Sequence, residues 1–181
     1  MYADKHRSLL IPFVFFALIC GCIPVFAQRQ GQGWIWQNPI PQGNQLNSIH
    51  FAKDRLNGIA VGADSTIVRT TDGGFNWTRF TSPVDATLSD VFVKDKKNAL
   101  IVGARGTILT FAEGEFWREV PAPTKEHLYG LAFAGDKGWA VGTHGAVIRT
   151  NDGGATWALQ KSGTTEHLMK VSALDPEHVA A

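Results

Sequence analysis

The nine residues RTNDGGATW, residues 149–157, carry the pattern that decides the fold of this chain. They place an acidic residue, two glycines and a tryptophan in the order expected of a tight turn between two strands. Asp152 can accept hydrogen bonds from backbone amides of its own turn, and Gly153 or Gly154 can supply the positive φ that such a turn requires. Trp157 then offers a large apolar surface at the start of the next strand. The stretch therefore predicts a β-hairpin closed by its own side chains.

The tryptophan of this stretch recurs at a fixed interval, since Trp77, Trp117 and Trp157 are each 40 residues apart. Each interval contains one apolar segment that begins with leucine and one segment that ends in Val-Gly. The apolar segments are LNSIHF (46–51), LSDVFV (88–93), LYGLAF (128–133) and LMKVSA (168–173), and the Val-Gly segments end at Gly62, Gly103 and Gly142. Self-similarity at this period is typical of repeat architectures.

Each repeat predicts four short strands, separated by Asn, Gly, Asp and Ser, with no room for a helix. In the first repeat the strands are expected at 46–52, 58–63, 66–70 and 77–80. A β-sandwich would explain the strands but not the constant tryptophan interval. The predicted fold is therefore all-β, an incomplete β-propeller of four-stranded antiparallel blades. The blades are expected at 46–87, 88–127 and 128–167, with a partial blade at 168–181.

The first 27 residues differ in composition and predict an export signal. Lys5 and Arg7 precede an apolar run over 9–19, and Val25 and Ala27 occupy the −3 and −1 positions of a signal-peptidase site. Cleavage after this site would leave residues 28–181 as an exported protein, periplasmic or extracellular.

Two alternatives remain open for this segment. Residues 9–27 are nearly long enough to stay in a membrane as a helix, although two prolines and a glycine interrupt them. ICGC (19–22) loosely resembles a bacterial lipobox, in which a lipidated Cys22 would be the only membrane attachment. Because both cysteines lie inside the signal, the exported chain is expected to lack disulfides, Cys-ligated zinc and cysteine nucleophiles.

The two ends of the repeat region predict how a propeller would close. The segment WIWQ (34–37) precedes Leu46 much as each later tryptophan precedes the next leucine, so it is expected to be an outer strand donated to the last blade. Residues 179–181 align with 139–141, in the middle of a strand. A fragment of a longer protein is the expectation here, and closure by several chains is the alternative.

The hairpin segments resemble the Asp-box, or bacterial neuraminidase repeat, whose pattern is Ser/Thr-x-Asp-x-Gly-x-Thr-Trp. The third copy matches in full, and the first has Asn76 at the second threonine. The middle copy, TFAEGEFW (110–117), has Ala112 where the aspartate belongs, so the same hairpin with fewer side-chain bonds is expected. The residues that this resemblance marks as structural are Thr70, Asp72, Gly74 and Trp77 in the first copy, and Thr150, Asp152, Gly154, Thr156 and Trp157 in the third.

Asp-boxes occur in sialidases, sortilin-like receptors, some glucanases and photosystem II assembly and stability factors. The stretches WQNPIPQGNQLNSIHF (36–51), GIAVG (58–62) and STIVRTTDGGFNW (65–77) resemble the last of these families, over residues 34–181. The resemblance implies a non-catalytic assembly scaffold that binds a protein partner through its propeller loops. In a phototroph it implies photosystem II subunits as partners and the thylakoid lumen as location.

A glycoside hydrolase of the sialidase or glucanase type, with its catalytic residues in missing blades, is the alternative function. The chain has no Arg-Ile-Pro segment, and Tyr129 is its only tyrosine outside the signal. Asp90 is a carboxylate on an inner strand, but the equivalent positions hold Ser48, Gly130 and Lys170, so the facing carboxylate of a glucanase is missing. No catalytic residue and no cofactor is therefore predicted.

Charge and composition also limit the partner classes. The formal net charge is +1 and 18% of the residues are charged, without the concentrated basic patch that nucleic acid or an acidic membrane requires. The expected partner is a protein, with no nucleic acid and no small-molecule substrate.

The loop between the second and third strands of each blade is expected at the end opposite the Asp-box hairpins. Its tip carries Asp64, Arg105 and His144 in turn. Because these residues differ while the frame repeats, they are candidate partner-binding residues. Polar loop tips that tolerate any change are the alternative interpretation.

Two further residue pairs recur in register. Arg69 and Arg149, beside the hairpin motif, form either a basic docking patch or structural pairs within the blade, and the middle copy has Leu109 there. His127 and His167 each follow a glutamate and suggest a metal site. Since they belong to adjacent blades, capping of the inner strands is the preferred interpretation, and no metal site is predicted.

Overall fold

The computed structural model describes residues 43–112 and 116–181, and this part of the chain is built from short β-strands. The strands are β1 (Leu46–Phe51), β2 (Gly58–Gly62), β3 (Ile67–Thr70), β4 (Thr78–Phe80), β5 (Leu88–Val93), β6 (Ala99–Gly103), β7 (Ile108–Ala112), β8 (Phe116–Glu119), β9 (Leu128–Ala134), β10 (Lys137–Gly142), β11 (Val147–Thr150), β12 (Ala158–Gln160), β13 (Ser172–Ala173) and β14 (Val179–Ala180). Within the described ranges there is no helix of the length and apolarity needed to cross a membrane. The predicted export signal and the predicted closing strand at 34–37 lie outside the described residues.

The strands form three four-stranded antiparallel sheets and one two-stranded sheet. The sheet orders are β1-β2-β3-β4, β5-β6-β7-β8, β9-β10-β11-β12 and β13-β14, so each sheet is a simple up-and-down meander. The first three sheets are called blades 1, 2 and 3, and the segment 168–181 with β13-β14 is called blade segment 4. The strands predicted for the first repeat are observed within one residue, and the all-β blade architecture is confirmed.

The blades pack face to face through shared apolar clusters, and their second strands are deeply buried. β2 (GIAVG) and β6 (ALIVG) are buried at every residue. Ile59 and Ile67 of blade 1 join Ile101 and Trp117 of blade 2 in one apolar cluster. A second cluster joins blade 2 to blade 3 and includes Trp157. The tryptophan of each of blades 2 and 3 is therefore part of an apolar cluster shared with the preceding blade.

The middle hairpin differs from the prediction. In blades 1 and 3 the ladder between the third and fourth strands ends at Arg69↔Thr78 and Arg149↔Ala158. In blade 2 it continues through Phe111↔Trp117 to Ala112↔Phe116, so Trp117 lies inside the strand. The expectation of the same hairpin with fewer bonds is wrong, because here the backbone ladder replaces the side-chain motif.

Candidate functional site

The Asp-box hairpin of blade 3 is closed by bonds among its own residues. Thr150 Oγ1 accepts a hydrogen bond from Gly154 N at 3.0 Å and donates to Asp152 Oδ1 at 2.7 Å. Asp152 Oδ1 also accepts from Thr156 N at 2.9 Å, and Asp152 Oδ2 accepts from the Thr156 hydroxyl. Trp157 Nε1 donates to Gly154 O at 3.1 Å. The polar side-chain groups of Thr150, Asp152, Thr156 and Trp157 therefore all have partners inside the hairpin.

The first Asp-box has the same geometry with Asn76 in the threonine position. Thr70 Oγ1 accepts from Gly74 N at 2.9 Å, Asp72 accepts from Asn76 N and Asn76 Nδ2, and Trp77 Nε1 donates to Gly74 O at 3.0 Å. The Asn76 amide and side chain, followed by Thr70, lower the pKa of Asp72 to about 2. In the third box Thr156 and then Thr150 lower the pKa of the corresponding aspartate to about 2. Both carboxylates therefore stay ionised at neutral pH and are held by their own turns.

The three candidate loop tips lie on left-handed turns between the second and third strands of each blade. Asp64, Arg105 and His144 have φ values of 49°, 57° and 52°, and all three are exposed. The next residue also has a positive φ in each blade, and the turns close with Thr66 N donating to Ala63 O and its equivalents. Two successive positive φ values are typical of a two-residue type I′ hairpin turn.

These loops contact the connections between blades. The first residue of each loop donates its backbone N–H to the carbonyl just before the inner strand of its own blade, at Gln45, Thr87 and His127. The following connection also passes close by, because a Cβ on Gly145 would lie 2.0 Å from Thr164 O. The expected placement of loop tips and connections at one end of the blades is therefore observed, whereas the Asp-box hairpins lie at the other end.

Two of the three tips take part in hydrogen bonds at this end. Arg105 donates from its guanidinium to the carbonyl of Asp85 in the preceding connection. His144 Nδ1 lies 2.8 Å from Glu126 Oε2, and His144 N donates to His167 Nδ1 at 3.1 Å. The hydroxyl of a neighbouring threonine and then His144 itself lower the pKa of Glu126. Arg105 and His144 are therefore held in place while their side chains stay exposed.

Each of the paired arginines of the sequence analysis lies over an aromatic ring. Arg69 Nη2 donates to Lys96 O of the next blade at 2.9 Å, and its guanidinium lies 5.0 Å from the Phe111 ring centroid. Arg149 lies 5.5 Å from the ring centroid of Trp139 in its own blade.

The register of the sheets also corrects the predicted equivalent of these arginines in blade 2. Arg69 and Arg149 pair with Ile59 and Trp139, and the matching pair in blade 2 is Leu100↔Thr110. Thr110, not Leu109, is therefore the third member of the set.

Asp90 forms a junction that the sequence analysis did not find. Its carboxylate is buried and accepts from Ser48 Oγ at 2.6 Å, from Leu131 N at 3.0 Å and from Lys170 Nζ at 3.2 Å. Ser48 and Lys170 were recognised as equivalent positions, but repeat alignment alone does not show that equivalent side chains meet at the inner strands. The structure assigns Asp90 to the junction between blades.

The histidines do not gather into a metal centre in the part of the chain that is described. His127 stacks on Tyr129 with ring centroids 6.4 Å apart, whereas His167 contacts His144. Within residues 43–112 and 116–181, no group of three or more His, Cys, Asp or Glu side chains has the geometry to hold a metal ion.

Comparison with known proteins gives the same architecture. A family model described as "Photosynthesis system II assembly factor YCF48" matches residues 75–160 and 111–177, which together span more than half of the chain. The curated protein "Photosystem II stability/assembly factor HCF136, chloroplastic" of Cyanidioschyzon merolae (strain NIES-3377 / 10D) is 45% identical over 47 residues, which are 24% of this chain and 11% of the relative.

Two solved structures share the fold. "YCF48 bound to D1 peptide" aligns with a TM-score of 0.58 and 23% identity over 67% of this chain and 43% of that chain. "YCF48 from Cyanidioschyzon merolae" aligns with a TM-score of 0.60 and 22% identity over 71% of this chain and 44% of that chain. The chain thus spans less than half the length of each of these relatives. With the repeats, the hairpin motif and the match over residues 75–177 in agreement, the chain belongs to the photosystem II assembly factor YCF48 family.

Proposed function

We propose that this protein is a non-catalytic scaffold in photosystem II assembly and that it binds a segment of a photosystem II subunit at the loop end of its blades. The observation that carries the proposal is the family match over residues 75–177. A relative was solved with a bound D1 peptide, so a D1 segment is the first partner to test. The proposal includes export to the compartment where this partner is exposed, the thylakoid lumen or the periplasm.

The loop tips support the location of this site. A non-glycine residue in the left-handed region costs roughly 1–3 kcal/mol, so glycine would be the cheaper choice at Asp64, Arg105 and His144. These three positions hold no glycine, and each blade has a different side chain at its loop tip. Arg105 has five N–H donors, and the hydrogen bond to the Asp85 carbonyl comes from one of its guanidinium nitrogens. The His144 side chain is 70% exposed. Both can therefore still contact a polar partner.

The state of the carboxylates supports a function without catalysis. A general acid needs a pKa close to the working pH. The pKa values of Asp72 and Asp152 are about 2, far below neutral pH. The binding interpretation uses exposed side chains and needs none of these groups to exchange a proton.

The test is binding of fluorescein-labelled synthetic peptides that tile the D1 sequence to the purified chain, followed by anisotropy. One peptide should bind, and Arg105→Ala and His144→Ala should each weaken it at least fivefold. The matched controls are Arg118→Ala on the outer strand β8 and His178→Ala, which also bonds to a carboxylate, at Asp175. Binding of no D1 peptide, or equal weakening by the controls, would contradict the proposal.

A second readout tests the absence of turnover. The bound peptide is incubated with the protein and its mass is followed by mass spectrometry. The mass should stay constant over many hours. Cleavage or modification of the peptide that Asp90→Asn abolishes would show an enzyme instead of a scaffold.

A further inference from the structure

The turns between the first and second strands form a row at the Asp-box end of the blades, opposite the loop tips. Gly73 N donates to Leu56 O and Gly153 N donates to Asp136 O, which joins each Asp-box hairpin to the turn of its own blade. Arg69 of strand β3 in blade 1 donates to Lys96 O in the turn of blade 2. The turn row is defined here as residues 52–57, 94–98, 134–137 and 174–178.

Charges in the later half of this row are paired. Lys94 Nζ lies 2.9 Å from Asp136 Oδ1, which links blades 2 and 3. Lys137 Nζ lies 3.6 Å from Glu177 Oε1, which links blade 3 to blade segment 4. His178 Nδ1 is 2.8 Å from a carboxylate oxygen in its own turn. Each charged side chain in this half therefore has a partner of opposite or complementary character.

The other cations in the turns of blades 1 and 2 are not paired. Lys53, Arg55, Lys96 and Lys97 are all exposed, and none of them forms an ion pair within the described ranges. The carboxylates of the two acidic residues in these turns accept hydrogen bonds from backbone amides of their own turns. Asp54 Oδ1 accepts from Leu56 N and Asn57 N, and Asp95 Oδ1 accepts from Lys97 N and Asn98 N.

Two large apolar side chains are exposed at the same end of blade 1. Leu56 is 53% exposed and Phe75, on the joined hairpin, is 71% exposed. The hairpin does not need an aromatic residue at this position, because Ala155 stands there in the third Asp-box with the same hydrogen bonds. An exposed aromatic side chain that its own turn does not require, at the end of the blades that carries these cations, is the kind of residue that anchors a bound peptide.

We propose that Lys53, Arg55, Leu56, Phe75, Lys96 and Lys97 form a second docking surface, the basic turn surface, which binds an acidic protein segment carrying an apolar side chain. The cations would attract the carboxylates and the apolar pair would hold the segment. Four cations interrupted by apolar side chains suit a peptide better than a continuous phosphate backbone. Because the loop tips lie at the other end, the scaffold can bind two segments at once. This proposal does not rest on binding of D1.

The test uses a fluorescein-labelled 12-residue probe of alternating Glu and Gly with a central Phe-Leu pair, and a second probe with Lys in place of Glu. The Glu probe should bind and the Lys probe should not. The double variant Lys96→Glu/Lys97→Glu should weaken the Glu probe at least tenfold, and Phe75→Ser should weaken it several-fold. The matched control, Lys125→Glu/Lys161→Glu at the loop end, should leave it unchanged.

Several results would overturn the proposal. The first is failure of the Glu probe to bind. The second is equal affinity of the Glu probe for the control variant and for Lys96→Glu/Lys97→Glu. The third is tighter binding of a 12-nucleotide single-stranded DNA than of the Glu probe. Circular dichroism melts establish that the variants are folded. D1-peptide binding is measured on the same variants. If Lys96→Glu/Lys97→Glu abolishes it, the D1 segment occupies this surface and there is no second partner site.

Discussion

The hairpins of blade 3 and blade 2 hold equivalent tryptophans by different means. Trp157 and Trp117 are 8% and 6% exposed, and each belongs to an apolar cluster shared with the preceding blade. Trp157 follows a turn closed by Asp-box side chains, whereas Trp117 is carried by a backbone ladder that extends to Ala112↔Phe116. The comparison shows that packing between blades fixes the position of the tryptophan, and the Asp-box is one of two local ways to support it.

The indole nitrogens show what the motif adds. Trp157 Nε1 donates to Gly154 O, but Trp117 Nε1 is buried and has no acceptor among the residues described. A buried donor without a partner is unfavourable by about 1–3 kcal/mol. The Asp-box therefore supplies local hydrogen bonds, while the apolar contact is common to both hairpins.

The largest expected effect tests the shared part of the comparison. Trp117→Ala and Trp157→Ala should each lower the free energy of unfolding by roughly 3–5 kcal/mol, because each leaves a cavity against the preceding blade. Urea denaturation measures both. If Trp117→Ala were much milder than Trp157→Ala, the claim that packing fixes both tryptophans would be wrong.

A second substitution tests the contact of the Asp-box with the preceding blade. A Cβ on Gly154 would lie 2.1 Å from Leu100 Cδ2, at a φ of +96°. Gly154→Ala should therefore destabilise by roughly 2–4 kcal/mol through overpacking and backbone strain. Gly163→Ala is the control, because its φ is also positive at +81° but nothing lies within 4 Å. Equal losses in the two variants would show that backbone strain alone acts.

The sequence predicted the blades well because the turn residues and the repeat can be recognised in the sequence itself. It failed at the middle hairpin because the constant 40-residue tryptophan interval hides a shift. Gly62 and Gly103 are 41 residues apart, whereas Gly103 and Gly142 are 39 apart. The register therefore slips by one residue inside blade 2.

The junctions between blades could not be predicted from the repeat. Asp90 meets Lys170 across 80 residues, and Arg69 meets the carbonyl of Lys96 across 27. Such contacts depend on how neighbouring blades are placed, which a single repeat does not encode. The positions of the candidate loop tips could be predicted because they recur at the same place in each repeat, but their bonds to the connections could not.

A smaller effect distinguishes the threonines of the two hairpins. Thr150 Oγ1 accepts from the buried Gly154 N, whereas Thr110 lies in the ladder opposite Arg118. Thr150→Val should lower the free energy of unfolding by about 1–3 kcal/mol because the amide loses its acceptor. Thr110→Val should change it by less than about 0.5 kcal/mol. Thermal unfolding compares the two, and a similar loss in both would remove the distinction between the hairpins.

The smallest expected effect is the pH dependence of the Asp-box. Thr156 and then Thr150 lower the pKa of Asp152 to about 2 from 3.8. Because the folded value lies below the unfolded one, this carboxylate stabilises the fold above about pH 4, and the contribution is lost as the pH falls towards 2. Asp152→Asn should make the melting temperature less dependent on pH in this window. An unchanged pH slope in the variant would contradict the assignment.

The most direct test of the scaffold account is a titration of the ¹⁵N-labelled protein with the tightest D1 peptide, followed by amide NMR spectra. The account predicts shifts at the loop tips, residues 63–66, 104–107 and 143–146, and at the connections that they contact. The Asp-box turns at 70–77 and 150–157 should remain unchanged. Shifts confined to the Asp-box end, or no shifts at saturating peptide, would contradict the proposed site.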